Sequence, residues 1–285
     1  MTDNHPQTHR RRVSPRVRRN RIIALAVIAG VLAVLLVILV VNVVGATGRS
    51  TVAATKTPSA TATKTPTPTP TPTPSETTPP PPPAFDKTAF SLDDPTSPWV
   101  VLNKQRPLNP VDYTPPDLVD VPVPHTWAPM MRAEAADAVT KMFAAASSEA
   151  GLSLASNSAY RSYSSQVQVY NDDVAANGQT FADGDTARPG YSEHQSGWAM
   201  DIGAESGNCS LSACFGETPE GKWLVDNAWR FGFLLRYPAD KVEVTGFTYE
   251  PWHFRYIGVS LSTEMHNTGV TTLEEFFGLP AAPGY

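Results

Sequence analysis

Two short segments of this 285-residue chain combine imidazole and carboxylate groups at spacings that suit metal chemistry. His194 is followed by Asp201 seven residues later, and Glu250 precedes His253 by three residues. Two neutral imidazoles and one carboxylate form a three-ligand set for catalytic zinc that leaves a fourth position to water, and a further glutamate beside it can serve as a general base. Each histidine alone equally suits a hydrogen-bonded structural role, so the spacing leaves both interpretations open.

The local sequence around these residues predicts the elements that position them. The segment Trp198 to Ile202 alternates as a β-strand does, which places Asp201 on the face opposite the large apolar side chains. In a regular strand, Glu250 and His253 would face opposite ways. Pro251 lies between them, cannot donate a ladder hydrogen bond and favours a bulge or turn, which would let both side chains face one cavity.

The folded part of the chain mixes predicted helices with short strands. Because they follow no regular βαβ rhythm, the sequence predicts the α+β class. Residues 85–129 are predicted to form a wrapping arm with little regular structure around the domain of residues 130–285. The predicted helices cover 130–150, 164–176, 218–231 and two short C-terminal segments, the last capped by Thr271 and Glu274, and the predicted strands cover 153–160, 198–202, 232–237 and 246–256.

The N-terminal residues have a different composition. Residues 1–21 contain seven arginines and precede an unbroken apolar run of 20 residues, which is long enough for a helix that crosses a bilayer. We therefore predict a transmembrane helix over residues 22–44, with a basic cytoplasmic tail at 1–21 and the chain from residue 45 onward outside. A cleaved signal peptide is the alternative. Residues 45–84 are rich in Thr and Pro and are predicted to form a disordered, extended stalk.

The rest of the chain is acidic. The whole chain has a formal net charge of −5, but the residues after position 50 carry 14 basic and 26 acidic side chains. A domain of this kind lacks the clustered Lys and Arg that phosphate neutralisation requires. The sequence therefore disfavours nucleic acid as a partner.

Several other reactive or aromatic residues are assigned structural roles. In an exported domain, Cys209 and Cys214 are expected to form a disulfide, since a metal site would need further Cys or His close by. His125 and His266 have no carboxylate at a recognisable spacing and are expected to be structural. The tryptophans in apolar periodic settings are expected in the core: Trp198, Trp223, Trp229 and Trp252.

Three motifs that occur in order over about 100 residues add a family resemblance. The stretch from Ser192 to Asp201 fits S-x-H-x-x-G-x-A-x-D, Glu250 to Tyr256 fits E-x-W-H-x-R-Y, and Ser158 to Tyr163 contains S-x-Y-R-S. Together they resemble the VanY-type zinc D-alanyl-D-alanine carboxypeptidases. The resemblance implies a compact α+β domain with a small antiparallel sheet and flanking helices, a fold shared with zinc D,D-peptidases and the Hedgehog signalling domain.

The resemblance also implies a role for each residue of the site. His194, Asp201 and His253 would bind one Zn²⁺ per chain, and Glu250 would be the catalytic base that assists attack by zinc-bound water. Arg161 would contact the substrate and stabilise the oxyanion, as a fixed guanidinium can. The hydroxyl of Ser192 is a further candidate substrate contact, and its structural alternative is to shape the turn before His194.

The resemblance implies a zinc metallopeptidase, and the predicted transmembrane helix and its orientation make this enzyme membrane-anchored and extracytoplasmic. It would remove the terminal D-Ala from peptidoglycan stem peptides that end in D-Ala-D-Ala. A related peptidoglycan endopeptidase and a D,D-dipeptidase are alternatives, because such enzymes share ligands and base. A non-enzymatic, zinc-containing cell-wall binding module is another alternative, since a fold alone does not establish catalysis. Glu250 favours an enzyme, because a binding module needs no base.

Overall fold

A four-stranded antiparallel sheet with helices on its flanks is the main element of the fold in the computed structural model, which describes residues 84–285. The strand order is β3-β4-β6-β5, and a separate pair joins β1 to β2. The strands are Leu118–Asp120 (β1), Met130–Arg132 (β2), Leu154–Ser158 (β3), Ala199–Ala204 (β4), Phe233–Leu235 (β5) and His253–Tyr256 (β6). This arrangement confirms the predicted α+β class.

Seven α-helices accompany the strands in this part of the chain. They are Ala133–Ala150 (α1), Tyr163–Asn177 (α2), Gln179–Asp185 (α3), Pro219–Asn227 (α4), Val242–Thr245 (α5), Val259–Thr268 (α6) and Leu273–Phe277 (α7). Short 3₁₀ helices cover Glu193–Ser196, Ala213–Glu217 and Ala228–Phe231. Among the described residues, no helix is both long and apolar enough to cross a membrane. The predicted basic tail, transmembrane helix and stalk lie outside the described residues.

The longest helix, α1, packs against the sheet through one apolar stripe. Val139, Met142 and Ala146 are fully buried at three- and four-residue spacing, as a helix with one buried face requires. They share a core with Met200 of β4 and Phe254 of β6. Burial of each larger side chain contributes about 1.5–3 kcal/mol, so this core fixes the sheet that carries the site.

The arm that was predicted to wrap around the domain is packed although it has little regular structure. Trp99 and Val101 are 1% exposed and lie in a second apolar cluster with Leu261 of α6 and Phe276 of α7. The indole N–H of Trp99 also donates to the carbonyl of Ile257 at 3.0 Å. The arm therefore belongs to the folded domain, and its one strand, β1, pairs with β2.

Several element boundaries differ from the sequence prediction. The helix expected from residue 130 begins at Ala133, because the three residues before it pair with β1. The strand expected over 246–256 is limited to its last four residues, and the segment before β6 turns at Pro251. The helix expected over 218–231 changes to 3₁₀ geometry after Asn227. The helix expected over 164–176 begins one residue earlier, at Tyr163, and is capped by Ser162.

The cap of the last helix also differs by one residue. Thr272, rather than Thr271, accepts the hydrogen bond from the backbone N–H of Glu275 at 3.2 Å. Both threonines have a glutamate three positions later, so the sequence alone allows either cap. The side chain of Glu274 forms a buried ion pair with Arg236 instead, so it does not serve in a capping box with Thr271.

Candidate active site

The register of two neighbouring strands brings two of the candidate metal ligands together. Asp201 of β4 pairs directly with His253 of β6, and Oδ1 of Asp201 lies 3.2 Å from Nδ1 of His253. Oδ2 of the same carboxylate lies 3.3 Å from Nε2 of His194. One potential ligand atom from each of the three residues lies within 4.8 Å of the others, and all three residues are buried.

His194 is held by a tight turn that only glycine can complete. The 3₁₀ turn Glu193–Ser196 ends at Gly197, whose φ of +75° is unfavourable for other residues. A Cβ at Gly197 would also lie 2.9 Å from Cγ of Arg132. Nδ1 of His194 donates to the carbonyl of Ala159 at 2.7 Å, which leaves the lone pair of Nε2 directed towards Asp201.

The turn at Pro251 places Glu250 beside His253, as the proline suggested. The backbone N–H of His253 donates to the carbonyl of Glu250 at 3.1 Å, and the N–H of Glu250 donates to Tyr237 on the neighbouring segment. Oε2 of Glu250 then lies 3.7 Å from Nδ1 of His253. The two side chains therefore line the same cavity, although they are three residues apart.

Burial controls the protonation of this cluster. It raises the pKa of Glu250 to about 8, with the nearby charge of Asp201 acting in the same direction and His253 opposing it. Burial alone would lower the pKa of His253, but the neighbouring carboxylates of Asp201 and Glu193 outweigh it and raise that pKa to about 9. A buried carboxylate with a pKa near neutrality is suited to take up and release a proton.

The three candidate ligands fit a zinc ion. His194 uses Nδ1, and His253 uses Nε2, to contact a neighbouring acceptor, so the other nitrogen of each ring faces Asp201 and can bind a metal once it is deprotonated. Oδ1 of Asp201 is buried and makes no hydrogen bond of acceptable geometry among the described residues. Lone pairs and a carboxylate at these distances repel one another unless a proton or a metal cation lies between them. Two imidazoles and one carboxylate are a donor set that zinc prefers.

Arg161 lies at the same cavity and is oriented by neutral groups. Its guanidinium donates to Oε1 of Gln166 and to Oγ of Ser158, each at 3.1 Å. Its backbone N–H donates to the carbonyl of His194 at 3.2 Å, which ties it to the turn that carries this ligand. Within residues 84–285 no carboxylate pairs with this guanidinium, so its charge is available to a substrate oxygen.

The cavity has a volume of about 240 Å³ and combines polar groups with apolar walls. Ser192 lies in its wall, is 4% exposed and precedes the turn of His194 without capping it through its side chain. Ser192 therefore stays a candidate for a substrate contact. Trp252 packs against the apolar core, as expected, and also lines the cavity.

The remaining assignments agree with the structure or lie away from the cavity. Cys209 and Cys214 are disulfide-bonded, and Leu211 in the loop between them lines the cavity. His125 contacts the carbonyl of Val123 through Nδ1 at 2.8 Å. His266 stacks on Trp229 with 4.0 Å between ring centroids. Neither histidine is part of the candidate metal site.

Sequence reasoning missed the charged residues behind the metal ligands. Glu193, Arg236 and Arg255 are buried, and Glu193 lies 3.2 Å from Nε2 of His253. Arg255 is the arginine of the motif E-x-W-H-x-R-Y, and Glu193 adjoins His194, so both were within the stretches singled out. Nothing in the local spacing connects them to Arg236, which is 43 residues from Glu193.

Comparison with known proteins agrees with this site. The VanY family model, described as D-alanyl-D-alanine carboxypeptidase, matches residues 128–259. The chain is 41% identical over 192 residues to the putative carboxypeptidase YodJ of Bacillus subtilis, which covers 66% of this chain and 69% of that protein. It is 43% identical over 121 residues to a D-alanyl-D-alanine carboxypeptidase of Enterococcus faecium, which covers 42% of this chain but only 35% of that protein.

Solved structures share the fold as well as the sequence. The LD-carboxypeptidase LdcB has 41% identity and a TM-score of 0.60, over 65% of this chain and 87% of that one. The vancomycin resistance D,D-pentapeptidase VanY, solved as a mutant with Zn(II), has 30% identity and a TM-score of 0.53, over 64% of this chain and 98% of that one. With a fitting zinc site and these similarities, the chain belongs to the VanY family of zinc D-alanyl-D-alanine carboxypeptidases.

Proposed function

We propose that this enzyme removes the C-terminal D-Ala from peptidoglycan stem peptides that end in D-Ala-D-Ala. The observation that carries the proposal is the position of Glu250, whose carboxylate lies beside the three candidate ligands without being needed as one of them. A structural zinc site needs no such group, whereas hydrolysis needs a base. The cavity also contains Arg161, which pairs with no carboxylate among residues 84–285 and so suits a substrate that develops negative charge.

In this proposal each residue has one task. His194, Asp201 and His253 would hold the zinc, which supplies Lewis acidity that lowers the pKa of a water and polarises the scissile carbonyl. Glu250 takes a proton from the attacking water and transfers it to the nitrogen of the departing D-Ala. A carbon–oxygen bond forms as the peptide carbon–nitrogen bond breaks, so no further reactant is required.

Two side chains would orient the substrate. Arg161 lies where its guanidinium can stabilise negative charge on the carbonyl oxygen, and its contacts with Gln166 and Ser158 fix it before the substrate arrives. Ser192 can donate its hydroxyl to the peptide, because no side-chain capping bond occupies it. Both residues line the cavity that contains the candidate ligands.

A second candidate function is removal of D-Ala from tetrapeptides, in which the bond follows an L-centre. The similarity to the LD-carboxypeptidase LdcB, at 41% identity, favours it. The candidate ligands and base would serve either reaction, because the difference between them lies in how the cavity walls accept the residue before the bond. Endopeptidase and D,D-dipeptidase activities, and a non-enzymatic wall-binding role, are the remaining alternatives.

Product analysis separates these possibilities. The purified full-length protein is incubated separately with a stem pentapeptide, a stem tetrapeptide, a cross-linked stem dimer and free D-Ala-D-Ala. The products are identified by mass spectrometry. We expect the pentapeptide to lose one D-Ala. Cleavage of the tetrapeptide alone would assign the LD activity, and cleavage of the dimer or the free dipeptide would assign the other two. The Glu250→Gln variant controls for contaminating peptidases, and a wild-type protein inert on every substrate contradicts the proposal.

We further propose that the enzyme is anchored in the cell membrane with its catalytic domain outside. The support comes from the sequence: seven arginines precede the apolar run, and a Thr/Pro-rich segment separates this run from the domain. The pairing of Cys209 with Cys214 suits an oxidising compartment. Peptidoglycan also lies outside the membrane, where an anchored enzyme could reach it.

A further inference from the structure

Four charged side chains lie fully buried behind the candidate zinc ligand His253. Oε1 of Glu193 accepts hydrogen bonds from Nε of Arg236 and from Nη1 of Arg255, both at 2.9 Å. Arg236 in turn donates to both oxygens of Glu274, at 3.0 and 2.7 Å. We call these four residues, Glu193, Arg236, Arg255 and Glu274, the buried charge cluster.

The buried charge cluster would destabilise the folded state if any of its members lacked an oppositely charged partner. Transfer of an ion from water into the interior costs several kcal/mol, and breaking a buried pair leaves an uncompensated charge. Here two carboxylates face two guanidiniums, and the side chains of all three ion pairs are completely buried. Because each charge needs its partner, these ion pairs hold all four side chains in fixed positions.

Only one oxygen of the cluster is directed at the metal site. Oε2 of Glu193 lies 3.2 Å from Nε2 of His253, whereas the other oxygen of the same carboxylate is occupied by the two arginines. An ionised carboxylate can only accept hydrogen bonds, so its neighbour must donate. In its neutral form the ring of His253 then has its proton on Nε2, and the lone pair of Nδ1 faces Asp201 and the candidate metal site.

We propose that Glu193 is a positioning residue for zinc, which selects the Nε2-protonated form of His253 and fixes the orientation of its ring. Carboxylates that accept a hydrogen bond from a metal-binding histidine raise its basicity and typically contribute 10- to 100-fold to metal affinity. Glu193 does not touch the metal or the substrate in this role. It acts only through His253.

The buried charge cluster also makes contacts with residues outside the range 128–259 that the family model matches. Glu274 lies on α7, and its oxygen also accepts a hydrogen bond from Asn103 of the arm at 2.9 Å. Arg236 donates to the carbonyl of Leu102, and Arg255 donates to the carbonyl of Val100. The arm and the C-terminal helix therefore hold the two arginines that hold Glu193.

The test measures zinc affinity in the absence of substrate, so it does not depend on which peptide the enzyme cleaves. Zinc is titrated into the metal-free full-length protein against a chelator of known affinity. We expect Glu193→Gln to weaken binding by 10- to 100-fold, because its amide cannot replace a carboxylate between two arginines and an imidazole. Glu134→Gln is the matched control, since Glu134 accepts a hydrogen bond from Tyr256 but has no contact with a ligand.

Two further measurements separate positioning from general destabilisation. The visible spectrum of the cobalt-substituted Glu193→Gln protein should change if the ring of His253 has moved, and that of Glu134→Gln should not. Glu274→Gln should also weaken zinc binding, by a smaller factor, because it loosens Arg236. Unchanged zinc affinity in folded Glu193→Gln would overturn the proposal. If this variant does not fold, unchanged affinity in folded Glu274→Gln does so.

Discussion

Asp201 and His253 are directly opposed on adjacent antiparallel strands, with Oδ1 of the aspartate 3.2 Å from Nδ1 of the histidine. Directly opposed residues in such a pair have Cβ atoms about 4.5–5.5 Å apart, a separation set by the backbone hydrogen bonds. Two of the three candidate ligands are thus placed by strand pairing itself. His194 joins them from a turn that is fixed through Ala159 and Gly197.

Replacing His194 by alanine should abolish stoichiometric zinc binding. One of three protein ligands is then missing, and a site with two ligands holds zinc weakly. Metal analysis of the purified protein after dialysis should give one zinc per chain for the wild type and much less than one for the variant. His266→Ala is the control, because His266 stacks on Trp229 away from the site. Full zinc content in His194→Ala would refute the ligand assignment.

Replacing Glu250 by glutamine should separate catalysis from metal binding. The amide has nearly the same shape but cannot take a proton from water, and general-base catalysis contributes typically about a hundredfold to ten-thousandfold. We expect kcat to fall by that factor while zinc content stays at one per chain. Glu243→Gln, at an exposed position on α5, should retain full activity. Wild-type turnover in Glu250→Gln would rule out this base.

Replacing Arg161 by lysine should lower kcat more than it raises KM. Lysine keeps the charge but loses the planar fork that Gln166 and Ser158 orient, so the oxyanion would be stabilised poorly. Loss of one such donor costs about a hundredfold to a thousandfold. The comparison variant is Arg230→Lys, whose surface pair with Glu149 lies elsewhere. Equal kinetics in Arg161→Lys and the wild type would leave this arginine without a catalytic role.

The ion pair of Glu274 with Arg236 should make stability depend on pH. Burial alone would raise the pKa of Glu274, but the charge and hydrogen bonds of Arg236 lower it below its usual range. A carboxylate with a depressed pKa in the folded state stabilises the fold above its ordinary pKa and loses this contribution as the pH falls through the folded value. We therefore expect Glu274→Gln to cost about 3–5 kcal/mol near pH 7 and less in acid.

Urea unfolding of wild type and Glu274→Gln, with a chelator present to remove zinc linkage, measures this difference at each pH. The gap between the two free energies of unfolding should narrow as the pH falls from 5 to 3. A gap that stays constant over this range would show that the ionisation of Glu274 does not contribute to stability in the expected way.

The proposed membrane topology can be tested by labelling in intact cells. A single cysteine at Ala60, within the predicted stalk, should react with a membrane-impermeant thiol reagent added from outside. A cysteine at Asn4, in the predicted cytoplasmic tail, should react only after the cells are opened. The Cys209–Cys214 disulfide should not compete with either label. Protection of position 60 in intact cells would contradict an external catalytic domain.

The sequence predicted those features that depend on neighbouring residues. The alternation around Met200 identified β4, and Pro251 correctly indicated the turn that brings Glu250 beside His253. The cap of α7 shows the limit of local reasoning, because Thr271 and Thr272 carry equivalent motifs. A buried pair between Glu274 and Arg236, 38 residues apart, decides which one is used.

The buried charge cluster could not be predicted for the same reason. Glu193 and Arg255 are 62 residues apart, and no periodicity relates them. Their pairing appears only when β6 lies beside the turn that carries His194. Trp252 packs against the core and also lines the cavity, and the apolar pattern of the sequence indicated only the first of these contacts.

The direct opposition of Asp201 and His253 also affects which folded molecules can mature. A slip of one residue between β4 and β6 would send one of these side chains to the other face of the sheet, where it could not reach the metal. Since binding energy is gained only by correctly paired chains, zinc would select them from a mixed population during folding. Zinc binding would thus favour the correct alignment of β4 and β6 in addition to its role in the active site.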